Sequence, residues 1–101
     1  MPWQEVAANS GPVEEWVTAL QEARQIGFLR NAAGAHDDWH NAPSKRFVMV
    51  ISGALEVEAG DGEKRLFTPG TVLLVTDVAG RGHRTRVVGP DEVLLVWIPV
   101  P

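Results

Sequence analysis

Three histidines, one arginine and a few carboxylates are the residues in this chain whose types and spacing bear on chemistry. His36 and His40 stand four apart in the polar run Ala35-His36-Asp37-Asp38-Trp39-His40, and Arg46 follows six residues after His40. His83 stands alone much later, opening the run HRTRVV. Imidazole changes charge near neutral pH and offers one donor and one acceptor nitrogen, so His40 and His83 are candidates for holding a ligand, moving a proton or ligating a metal. The alternative for each is a buried neutral histidine hydrogen-bonded within the protein. His36 reads as a solvated loop residue, and as the spare nitrogen if a metal binds. Asp38 would add a carboxylate, making a two-histidine, one-carboxylate set. Arg46 supplies a permanently charged fork suited to a carboxylate or phosphate group. Its other readings are a structural ion pair with Asp38, or an outward orientation beside Lys45.

Other chemistry is missing from the sequence. There is no cysteine, which excludes disulfides and thiolate metal sites and fits a reducing compartment. There is no Gly-x-Ser-x-Gly elbow, phosphate loop or dinucleotide fingerprint, so no nucleotide cofactor is expected. A net charge of −4 argues against nucleic acid or an anionic membrane surface as partner. The basic cluster Arg81, Arg84 and Arg86 reads as a solvated face. The N-terminus lacks a secretory pattern, and the longest apolar run, Val93–Val100, is too short to span a bilayer as a helix. A cytoplasmic protein is expected.

The elements that must position these residues are mostly strands. With 101 residues the chain makes one domain. Ser10 as a cap, Pro12 in the first turn, and Val13, Trp16, Val17 and Leu20 at helical spacing predict one amphipathic helix ending near Arg24. Residues 1–24 are thus expected to be an arm and helix packed on a body formed by residues 25–101. From Gln25 onward the period is two. Strands are expected at Gln25–Asn31, Phe47–Ser52, Leu55–Ala59, Glu63–Phe67, Thr71–Thr76, His83–Val88 and Glu92–Ile98. Thr71–Thr76, apolar on both faces, predicts a strand buried mid-sheet. Pro99 and Pro101 predict an edge that accepts no further pairing. The alternation puts His83, Thr85 and Val87 on one face of their strand, taken as the inner one. It sets Phe47, Met49 and Ile51 opposite Arg46, on a face needing cover from the helix or a second subunit. Trp39 beside His40 is a candidate for the pocket mouth. Short strands with frequent turn signals indicate an all-β sandwich or barrel.

This pattern resembles the cupin family of small jelly-roll barrels from about Gln25 onward. The first family motif is a glycine, five residues, His-x-His, a short gap, a glutamate, six residues and a glycine. Anchored on Gly34 and Gly53, it places His40 at the first histidine, Ala42 at the second and Arg46 at the glutamate, with both glycines in register. The second motif, a Pro-Gly turn, a strand and a Pro-x-Gly-x-x-His loop, is similar to Pro69-Gly70 and Gly80-Arg81-Gly82-His83. Val78 stands at its proline and Val87 at its later asparagine. The resemblance implies a jelly-roll barrel with an internal pocket, and a metal set of three histidines and a glutamate of which this chain keeps His40 and His83. It also implies a homodimer. The reading that results is a barrel binding a small anion through Arg46, His40 and His83, with Trp39 and Thr85 nearby. A metal-dependent oxygenase or isomerase using His40 and His83, with Asp38 or His36, is the second reading. A packed interaction module is the third.

Overall fold

The computed structural model describes residues 3–6 and 15–101. Its elements are nine strands: β1 Trp3–Val6, β2 Glu15–Thr18, β3 Gly27–Asn31, β4 Arg46–Ser52, β5 Ala54–Ala59, β6 Lys64–Phe67, β7 Val72–Val75, β8 His83–Val88 and β9 Val93–Pro99. β1 and β2 pair with each other, β3-β9-β4-β7 form a four-stranded sheet, and β6-β5-β8 form a three-stranded one. Every pairing is antiparallel. The all-β architecture expected from the period-two runs is the one observed.

Alternation then decides what each sheet buries. On β4, Arg46, Val48 and Val50 point inward while Ile51 lies on the exposed side. On β8 the inward set is His83, Thr85 and Val87. Val48, Val50, Leu55, Val87, Val93 and Leu95 form the core between the sheets. On the outer face of β5 and β8, Glu56 and Glu58 stand opposite Arg86 and Arg84 and form ion pairs with them. Two of the three clustered arginines are thus neutralised across the strand pair.

Turn chemistry fixes the register. At the β5–β6 hairpin the Ala59 amide donates to the Glu63 carbonyl at 2.8 Å, and Asp61 Oδ1 accepts the Glu63 amide at 2.9 Å. At the β4–β5 turn Gly53 has φ +77°, and a Cβ there would strike the Glu92 carbonyl oxygen. Only glycine fits this close approach.

Three expectations are corrected. The helix expected to run to Arg24 is not formed by its described part: Glu15–Thr18 is strand β2, and Leu20 is 94% exposed. Residues 10–14 of that helix lie outside the described residues. Four apolar positions at helical spacing were a thin signal, and the β-branched, aromatic run Trp16-Val17-Thr18 favours a strand. β7 is an edge, not a central strand: among the described residues it pairs only with β4, with Val72 and Leu74 each 49% exposed. Its apolar outer residues continue an apolar outer face rather than filling a second core. Pro99 closes no edge either, since β9 lies between β3 and β4. Pro99 forms the last rung, opposite Arg46, where the missing N–H costs no ladder bond.

Candidate functional site

The loop between β3 and β4 crosses from the large sheet to the small one and runs along the free edge of β8. The Val87 amide donates to the Ala35 carbonyl, the Asp37 amide to Thr85, and His40 and His83 exchange backbone bonds at 3.0 and 2.9 Å. The bridge depends on Gly82. At φ +79° it lies so close to His40 that a Cβ would collide with the His40 carbonyl. The glycine of the Gly-Arg-Gly-His loop is therefore what lets two histidines distant in sequence share one rung.

Their rings meet edge to face, with centroids 4.6 Å apart. His83 Nδ1 lies 2.5 Å from Asp77 Oδ2, and His40 Nδ1 lies 2.8 Å from the Asp38 carbonyl oxygen. An ionised carboxylate and a backbone carbonyl can only accept, so both Nδ1 atoms carry hydrogen. In each neutral ring the lone pair then resides on Nε2, available as an acceptor or a base. Asp37 joins this cluster: its Oδ1 accepts the Thr85 amide at 2.6 Å and its Oδ2 accepts the Thr85 hydroxyl at 2.9 Å. Asp37 Oδ2 also lies 3.6 Å from His40 Nδ1.

These groups form one polar end of a cavity of about 450 Å³ inside the barrel. Its walls are apolar, with Leu55, Val57, Leu73, Val75, Leu95 and Trp97 among them. His40, His83 and Thr85, singled out from the sequence, all line it. Asp37 and Asp77 were not singled out, and both line it too.

The other candidates lie elsewhere. Arg46 is buried and on the inner face of β4, yet it borders a second hollow with Ser44, Trp97 and Pro99 rather than the histidine cavity. Its Nε donates to the Ser44 carbonyl and its Nη2 to the Ser44 hydroxyl, each at 3.0 Å. The pairing with Asp38 considered from the sequence does not form. Asp38 Oδ1 instead accepts the Trp39 amide at 2.8 Å. Trp39 lies outside the cavity, with the guanidinium carbons of Arg81 and Arg84 at 3.8 and 4.9 Å from its ring centre. His36 bridges to Arg86 on the exposed side.

The donors do not fit a metal ion. Among the described residues no group of three or more His, Cys, Asp or Glu side chains could hold one. Ala42 is buried without a donor atom, and Arg46, where the resemblance implies a glutamate, does not line the cavity. Asp38 and His36, the extra ligands considered, do not line the cavity.

Comparison with known proteins agrees with this architecture. The family model described as "Cupin domain" matches residues 27–99. A cupin domain from Bordetella pertussis Tohama I superposes with a TM-score of 0.62 at 20% identity, covering 80% of this chain and 84% of that one. A Klebsiella pneumoniae protein with a double-stranded β-helix domain gives 0.62 at 19%, covering 81% and 76%. ToxT from Vibrio cholerae, bound to (E)-4-(8-methylnaphthalen-1-yl)but-3-enoic acid, gives 0.66 at 8%, covering 79% of this chain and 31% of ToxT. No curated protein matches the sequence. Among the described residues no helix is long and apolar enough to cross a membrane. The match over residues 27–99, which spans both the 34–41 loop and β8 that bring His40 and His83 together, places this chain in the cupin family.

Proposed function

We propose that the barrel binds a small molecule with an apolar body and one polar end, seated against His40 and His83. The observation that carries this reading is the cavity itself: apolar walls around about 450 Å³, closing on two imidazoles and two carboxylates. A cavity of this size and lining is typical of small-molecule sites, and its volume disfavours a packed interaction module. The polar end selects the ligand's head group. Two Nε2 lone pairs and the carboxylates of Asp37 and Asp77 accept hydrogen bonds, so a hydroxyl or amine suits this end better than a carboxylate. An anionic ligand held by Arg46 would occupy the other hollow. ToxT is bound to a small acid with a naphthalene body; that precedent supports an apolar body, and the polar end here favours a donor head.

The test is a thermal-shift series with naphthalene-sized probes. 2-Naphthol and 2-naphthylamine should raise Tm more than 2-naphthoate, and Leu73→Trp, which fills the apolar wall, should abolish the rise. Equal shifts in Leu73→Trp would place the probes elsewhere.

The Asp77–His83 contact favours a second reading, proton transfer within the same cavity. Asp77 would orient the ring and balance the imidazolium formed when Nε2 accepts a proton. This would serve an isomerisation in which the proton returns to another atom of the substrate.

A second copy of the chain is the expected protein partner. On the outer face of the large sheet, the rows Phe28–Val96–Met49–Val72 and Ile98–Phe47–Leu74 run across adjacent strands. Val96 is already buried within the first row, while Phe28, Val72 and Leu74 are exposed, and a homodimer through this face would cover those three.

A further inference from the structure

We propose that Arg46 anchors a second binding site, for the carboxylate or phosphate group of a small free anion, in the hollow that shares Trp97 with the histidine cavity. Arg46 is only 9% exposed, and among the described side chains, those of residues 17–101, no carboxylate lies within ion-pairing distance of its guanidinium. A buried charge without a counter-charge is costly, and proteins rarely retain one without a partner. What surrounds Arg46 holds it without neutralising it. Ser44 fixes Nε and Nη2 through its carbonyl and hydroxyl, and the Trp97 ring lies 5.3 Å from the guanidinium carbon. Nη1 takes no bond among the described residues. Arg46 borders the hollow that Gln25, Ser44, Trp97 and Pro99 also line.

The arrangement is that of a held fork. The guanidinium plane is set by two bonds on one edge and backed by an aromatic ring, leaving donors for an incoming oxyanion. Gln25 and Ser44 add neutral hydrogen-bonding groups, and none of the residues lining the hollow carries a negative charge to repel the ligand. Trp97 also lines the histidine cavity, so the uncharged-ligand site and the anion site share one residue. The same carboxylate chemistry has a second source within the chain, since Glu5, Glu14 and Glu15 precede the barrel in sequence.

The experiment is isothermal titration of the full chain with inorganic phosphate and with acetate at constant ionic strength. One-site binding of at least one anion is expected. It should weaken by about tenfold or more in Arg46→Gln, and by a smaller factor in Arg46→Lys, which keeps the charge and loses the fork. If Arg46→Gln does not fold, Arg46→Lys and Ser44→Ala carry the test, and both should weaken binding. Affinity unchanged in these variants, or no binding of either anion, would overturn the proposal. Binding that appears only in Glu5→Gln/Glu14→Gln/Glu15→Gln would also overturn it, because the chain's own carboxylate would then be the occupant.

Discussion

Asp77 and His83 show how one contact sets the chemistry of a side chain. The 2.5 Å contact to Asp77 Oδ2 keeps hydrogen on Nδ1 and leaves Nε2 as the lone-pair nitrogen. Asp77→Asn retains the shape but can present an N–H to the ring, which favours the opposite tautomer. Long-range ¹⁵N–¹H spectra of histidine-labelled protein should show the protonated nitrogen of His83 change from Nδ1 to Nε2, with His40 unaltered. A His83 signal that stays put would mean that Asp77 does not set the tautomer. His83 and Thr85 were legible as inward residues because alternation alone fixes the face of a strand. Asp77 was legible in principle: Leu73, Val75 and Asp77 continue one face by a rung beyond the end of β7. Asp37 was not. Two adjacent aspartates in a loop carry no period, and only the loop's course along β8 decides that Asp37, not Asp38, reaches the cavity. For Arg46 the sequence leaves the orientation open, and the hollow it borders includes Trp97, contributed by a strand some fifty residues later in sequence.

At the scale of elements, the site exists because the 34–41 loop and β8 pair as neighbouring strands do, and Gly82 is the tightest point of that pairing. Gly82→Ala combines a left-handed backbone with a collision against the His40 carbonyl. It should destabilise the protein by more than about 2 kcal/mol, with loss of the His40–His83 backbone bonds. Chemical denaturation and amide exchange at His40 and His83 check both parts. Gly80, at φ +79° with nothing within reach of a Cβ, should cost less on the same substitution. Equal effects at the two positions would contradict the close-approach argument. The seven strands from β3 to β9 were readable within a residue or two at most ends, because turn glycines and alternation agree there. Their order was not: that β7 is an edge and β9 is interior depends on long-range pairing, which no local pattern encodes.

For the whole molecule, the large sheet carries apolar residues on both faces, while the small sheet carries paired charges outside. Met49 lies mid-sheet between Val96 and Val72 on the outer face. Met49→Glu should leave the fold intact and shift sedimentation from dimer to monomer, with a concentration-dependent midpoint. A wild type that sediments as a monomer at tens of micromolar would remove the homodimer from the account. The strand pattern and the glycine-anchored motifs made the family legible. The division of the interior into two hollows was not, because it arises only when β4 and β9 lie side by side.

The central claim is that His40 and His83 meet a ligand inside the barrel, and imidazole ¹⁵N shifts during a 2-naphthol titration test it most directly. The account predicts saturable shifts at Nε2 of both histidines with a common midpoint, absent in Leu73→Trp. Imidazole signals that stay fixed while 2-naphthol binds would contradict it.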